Sequence, residues 1–140
     1  MKRLMFTVVC SCMLAGCVTQ QVAIPNNTYD FFAEDIVSKT RKGIDNVERF
    51  YAFFNNVENG KRDQVRIVEQ TIEGKPIYVD VRYSNSKIDL KMDRSNDTYS
   101  DKKIVTTTCN QLNAIEVERR TDYYVSDCSD KEQHIIFSDY

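Results

Sequence analysis

Between Asp45 and Gly60 the apolar residues Val47, Phe50, Tyr51, Phe53, Phe54 and Val57 fall in one stripe when stepped at about 100° per residue, which predicts an amphipathic helix. Asp45 is placed to cap it, Glu48 three positions on completes a capping box, and Asn59-Gly60 supplies the stop. A stripe of aromatic residues at this spacing is core. Beyond Gly60 the period changes to two. Ile77, Val79, Val81 and Tyr83 alternate with Tyr78, Asp80 and Arg82, and Ile88, Leu90 and Met92 alternate with Lys87, Asp89 and Lys91. A turn at Asn85-Ser86 sets Tyr83 opposite Ile88 and Val81 opposite Leu90 on the inner face, with Arg82 opposite Asp89 and Asp80 opposite Lys91 on the outer one. Apolar and charged positions agree on this one register, and the outer charges read as a solvated sheet face.

An earlier strand runs from Gln64 to Ile72 and enters this hairpin through Glu73-Gly74-Lys75-Pro76; later candidates are Ile104 to Thr108, Ile115 to Arg120, Tyr123 to Cys128 and His134 to Phe137. A helix followed by a run of antiparallel strands is an α+β arrangement. We expect a sheet of about five to six strands with the one main amphipathic helix packed on one face.

The start of the chain has a different pattern. Basic Lys2-Arg3 precedes an apolar run from Leu4 to Ala15, too short for the ~20 residues that span a bilayer, and Leu14-Ala15-Gly16-Cys17 fits a lipobox. The expected organisation is a lipoprotein signal peptide at 1–16, a lipidated cysteine and tether at 17–34, and a single α+β domain at 35–140. Cys17 becomes a thioether to diacylglycerol, and two palmitate-type chains at about 0.8 kcal/mol per buried methylene give stable anchoring where one gives marginal binding. The polar stretch from Val18 to Thr28, with Pro25-Asn26-Asn27, reads as the tether. Tyr29, Phe31 and Phe32 follow it and are expected to dock on the domain; the alternative is a patch that touches membrane or partner.

Recognition of the leader changes the cysteine and charge counts. Of five cysteines, Cys10 and Cys12 leave and Cys17 is lipidated, so Cys109 and Cys128 are the two expected to bond in an oxidising exterior. Loss of Lys2 and Arg3 leaves 17 basic against 21 acidic residues, a net charge of about −4. No basic patch follows Cys17, which argues against a nucleic-acid partner.

Signals for chemistry are sparse. His134 is the single histidine and is expected at a surface or strand edge; a zinc site is short of ligands once the bridge is set aside. The four glycines form no phosphate loop. Asp93, Ser95 and Asp97 space oxygen side chains like the first positions of a calcium loop, but position six is Thr98 instead of Gly and position twelve is Ile104 instead of Glu. A polar connection between strands is the better reading, so no catalytic residue, metal or cofactor is assigned.

Val65-Arg66-Ile67-Val68, Thr71, Glu73-Gly74-Lys75-Pro76-Ile77, Asp80 and Tyr83, with Asp93, Asp97 and Cys109 beyond, resemble a family of small Gram-positive lipoproteins known as domain of unknown function 4362. The similarity runs from roughly Asp35 to Cys128. It implies a lipobox joined to one such domain outside the cytoplasm, with no assigned activity, cofactor or catalytic residue. Arg94-Ser95-Asn96 departs from the family, which places its arginine just before the second aspartate, and this weakens a ligand role for that loop.

These readings favour a binding or interaction module held by lipid on Cys17 to the outer face of the cell membrane, with an unknown envelope partner or ligand. An enzyme with a carboxylate-based site and a steric envelope stress or exclusion factor are the alternatives.

Overall fold

The computed structural model describes residues 30–101 and 103–140. The expected signal peptide, Cys17, Tyr29 and most of the expected tether lie outside them. A single 3-10 turn, Ala33–Asp35, leads into β1 (Ile36–Thr40) and β2 (Gly43–Asp45), then α1 (Val47–Glu58), β3 (Asp63–Gln70), β4 (Pro76–Ser84), β5 (Lys87–Asp93), β6 (Ile104–Val117), β7 (Arg120–Cys128) and β8 (His134–Asp139). Among the described residues the fold is α+β with one α-helix, but the sheet has eight strands, in the order β2-β1-β3-β4-β5-β6-β7-β8, where five to six were expected. The excess has a plain origin. The short β1–β2 hairpin carries too few residues to show a period. All neighbours are antiparallel except β1 and β3, which α1 connects as a parallel pair.

The β4–β5 hairpin has the expected register at all four pairs: Tyr83 with Ile88, Val81 with Leu90, Arg82 with Asp89 and Asp80 with Lys91. Asn85 (φ 51°) and Ser86 (φ 58°) both take left-handed backbone, the turn whose twist matches that of the flanking strands. Val65, Val79, Val81, Leu90 and Met92 line the inner face and are fully or almost fully buried. The outer face departs from expectation at Asp80, which is 3% exposed. Arg66, directly opposite it on β3, donates two hydrogen bonds to it (2.6 and 2.8 Å) and is itself covered by the Phe31 ring at 4.6 Å. Phe31 therefore docks on the domain, while Phe32 stays exposed.

The helix begins later than its capping signal implied. Asp45 belongs to β2, opposite Ser38, and the helix is entered through Asn46 in left-handed backbone (φ 60°) with no side-chain cap. Asn46 instead donates to the carbonyls of Ile36 (2.9 Å) and Glu34 (3.2 Å), so it ties the helix start to the strand. The far end is a Schellman closure: Gly60 N–H donates to the Val57 carbonyl (3.0 Å) and Lys61 N–H to that of Asn56 (2.8 Å), with Gly60 at φ 69°.

Six strand spacings separate β1 from β8, roughly 29 Å if the sheet were flat. Yet the Lys39 ammonium on β1 donates to the Ser138 carbonyl on β8 at 2.8 Å, and Phe50 of α1 meets Phe137 of β8 at 4.2 Å between ring centres. The sheet therefore curls around the helix until its ends meet. A stagger in β6 allows this: Ile104 to Cys109 pair with β5, and Cys109 to Val117 pair with β7. The two stretches read separately in the sequence, Ile104–Thr108 and Ile115–Arg120, are thus joined in β6 up to Val117, and Arg120 opens β7. Phe50 also packs edge-on against Tyr123 of β7 at 4.8 Å, so the aromatic stripe holds the curl. Among the described residues no helix is long and apolar enough to cross a membrane.

Candidate functional site

Where the curled sheet closes, the turn between β1 and β2 faces the end of β8 across a cleft of about 590 Å³. Its cations come from one short stretch, Lys39, Arg41 and Lys42; Ile44, Val47 and Tyr140 supply apolar surface. Lys39 is fixed: besides Ser138 it lies 3.8 Å from Glu69 and 4.3 Å from the centre of the Tyr140 ring. Arg41 donates to the Ile72 carbonyl, which ties this turn to the one after β3. Lys42 projects into solvent, and its N–H donates to Thr40 Oγ1 at 3.2 Å. The one carboxylate in the lining, Asp139, accepts a hydrogen bond from Tyr51. That bond, with burial second, holds the Tyr51 phenol above its ordinary pKa. The cleft is positive in a chain whose formal net charge is −2. An anionic group with an adjoining apolar part suits it, because cations meet the first and Tyr140, Ile44 and Val47 the second.

The loop weighed as a calcium site lies at a second cleft of about 370 Å³, between residues 70–73 and 96–99. Asp93 accepts the Ser95 N–H and Asp97 the Tyr99 N–H, both at 3.0 Å, so each closes a turn on its own loop. The Asp93 carboxyl is held below its ordinary value first by the Ser95 backbone bond. These contacts fit a polar connection. Exposed Ile72 and Tyr99 form the apolar part of this second cleft.

Cys109 and Cys128 face each other directly across β6 and β7 and are disulfide-bonded. His134 opens β8, the edge strand of the sheet, in keeping with the strand-edge alternative, but its side chain is buried rather than at the surface: it is 9% exposed, and Nε2 lies 2.8 Å from Asp130. Donor atoms of Cys128, Asp130 and His134 lie within 4.8 Å of one another. All three come from the short stretch between the end of β7 and the start of β8, a spacing that went unread in the sequence.

Elsewhere buried charges are paired. Arg49 bridges Asp35 (3.2 Å) and Asp63, and Asn56 adds a bond to Asp63 at 2.9 Å. Burial opposes ionisation of Asp63, but bonds from Arg49, Asn56 and the Gln64 N–H outweigh it and lower its pKa. Asp122 is lowered first by the Ser138 hydroxyl at 2.6 Å. At Asp130 burial is the largest influence and acts upward, yet the Glu132 N–H and His134 carry the net shift downward. Among the described residues each carboxylate with a resolved shift is thus stabilised as an anion, the reverse of what a general acid needs.

The β1–β2 turn was missed in the sequence, and it corrects the reading that no basic patch follows Cys17. Its signal was Lys39-Thr40-Arg41-Lys42-Gly43, a basic run ending in a glycine that takes φ 140°, flanked by Val37 and Ile44. Comparison with curated proteins and with solved structures gives no match. A family model described as Domain of unknown function (DUF4362) matches residues 33–124, from the 3-10 turn into β7. With well over half its length matched, the chain belongs to the DUF4362 family.

Proposed function

We propose that the chain is an extracytoplasmic lipoprotein, anchored through lipid on Cys17, whose domain is a binding module for an anionic ligand with an apolar part. The lipobox and short apolar leader support the anchor. One observation carries the binding reading: the cleft framed by Lys39, Arg41, Lys42 and Tyr140, positive in an otherwise acidic chain. The downward shifts of Asp63, Asp93, Asp122 and Asp130 keep these groups ionised and so disfavour them as general acids. A tether then gives the module reach while two acyl chains keep it at the surface.

The test is site-specific crosslinking in intact cells. A photoreactive residue at position 42 is expected to give a discrete adduct that one at exposed Lys61 does not, and Arg41→Ala should weaken it. Equal labelling from both positions, or none from position 42, would count against this cleft as the binding surface.

A further inference from the structure

We propose that Cys109, Cys128, Asp130 and His134 form a redox-gated zinc site, closed as a disulfide when oxidised and open to one zinc ion when reduced. Three of the four side chains already share one place, and Cys109 reaches it through its bond to Cys128. The two sulfurs are bonded, and the Cys128, Asp130 and His134 donor atoms lie within 4.8 Å of one another. Tetrahedral zinc, with Zn–S about 2.3 Å and Zn–N and Zn–O about 2.0–2.2 Å, puts ligand atoms roughly 3.3–3.8 Å apart, so the cluster must tighten by on the order of 1 Å. The cysteine Cα atoms are 3.9 Å apart, which lets both sulfurs face one ion after the bond between them opens.

The backbone holds this arrangement in place. Ser129 N–H donates to the Thr108 carbonyl and Lys131 N–H to that of Cys128, both at 2.9 Å, and Lys131 takes φ 65°. The segment from Cys128 to His134 is thereby folded back so that its cysteine, aspartate and histidine converge, while β6 brings the second cysteine. Cys109, Cys128 and His134 are buried; the Asp130 side chain, 31% exposed, gives an ion its entry. A count of ligands outside the bridge finds too few for zinc. With the bridge open there are four, of soft and borderline types that suit this metal.

The chemistry balances. A dithiol donor passes two electrons and two protons to the Cys109–Cys128 bond, which breaks into two thiols while the donor forms its own disulfide. Zinc then displaces one proton from each thiol and is held by two thiolates, neutral imidazole and carboxylate. In the oxidised chain only Asp130 and His134 remain as ligands.

The experiment uses the full chain with Cys10→Ser, Cys12→Ser and Cys17→Ser, which leaves Cys109 and Cys128 as its cysteines. It is purified in mild detergent and reduced with a phosphine, which takes up oxygen from water as the disulfide opens. One zinc ion per reduced chain is expected, with a sulfur-to-metal charge-transfer band when cobalt replaces zinc, and no such band in the oxidised chain. Asp130→Asn and His134→Ala should each weaken binding by at least the about 10–100-fold that loss of even an outer-sphere partner costs. If reduction unfolds the chain, zinc is expected to restore its circular dichroism. Equal binding by oxidised and reduced chain, no binding or refolding by the reduced chain, or undiminished affinity in Asp130→Asn would overturn the proposal.

Discussion

In the middle of the sheet, β3, β4 and β5 find their partners close by in sequence, and each pairing repeats the last: Val65 faces Val81, which faces Leu90. At the ends of the sheet, Lys39 reaches Ser138 across 99 positions of sequence, and Phe50 joins α1 to β7 and β8. The middle is specified many times over by short hairpins. The closure rests on a few long-range side chains, and it is the closure that creates the basic cleft. Strand register and the candidate site are thus set by different parts of the chain.

Phe50→Ala should have the largest effect, about 3–5 kcal/mol, because it empties a fully buried position between the helix and the closing strands. Leu90→Ala should cost about 2–5 kcal/mol in the middle of the sheet. Denaturant midpoints on the chain begun after Cys17 give both values. Spectroscopy of the two variants at equal denaturant separates the two regions: Phe50→Ala should loosen the Tyr123 and Tyr140 environments, while Leu90→Ala should leave them native until global unfolding. Identical local responses would mean that the ends are no more fragile than the middle.

Cys109→Ala with Cys128→Ala comes next, at roughly 3 kcal/mol by the loop-closure argument. The bond lies where β6 changes partners from β5 to β7, so its removal frees the closing strands from the middle. Thermal melting should fall accordingly, and an unchanged melting temperature would show that the β6–β7 pairing alone fixes the junction.

Acid should act on the helix anchor and on the β7–β8 end. Asp63, which anchors the helix through Arg49, and Asp122, which joins β7 to β8 through Ser138, both have folded pKa values below the unfolded 3.8. The unfolded chain therefore takes up protons first. Their contribution is complete above 3.8 and is lost as pH falls below that value through the lower folded pKa. Unfolding free energy measured down through this range should decline, and Asp122→Asn should flatten part of that decline.

The smallest effect belongs to Lys91→Ala, within about 0.5 kcal/mol, because Lys91 lies on the outer face while its neighbour Leu90 is fully buried. Asp80, opposite Lys91, would have been placed in the same class from the sequence. The structure puts it under Arg66 and Phe31 instead, so the two members of one cross-strand pair differ in burial.

What could be read from the sequence follows the same division. The β4–β5 register was legible because apolar parity, charge pairing and the Asn85-Ser86 turn each point to it independently. The helix stripe was legible from Phe50 and Phe53, but its start was not: Asp45 has the chemistry of a cap and is spent in β2, leaving Asn46 to enter the helix. The β1–β2 hairpin is too short to show a period, and with it went the basic cleft. His134 lies beside the disulfide because the β7–β8 turn folds back on Cys128, whereas Cys109 is brought there by the change of partners in β6. No local pattern encodes that change.

The most direct measurement of the closure is a nuclear Overhauser spectrum of the domain with the Lys39 side chain assigned. Lys39 is predicted to show cross-peaks to the rings of Tyr140 and Phe137, whose centres lie 4.3 and 5.9 Å from its ammonium nitrogen, alongside those to its β2 and β3 neighbours. Cross-peaks confined to β2 and β3 would mean that β1 and β8 do not meet, and that the cleft on which the binding reading rests is not formed.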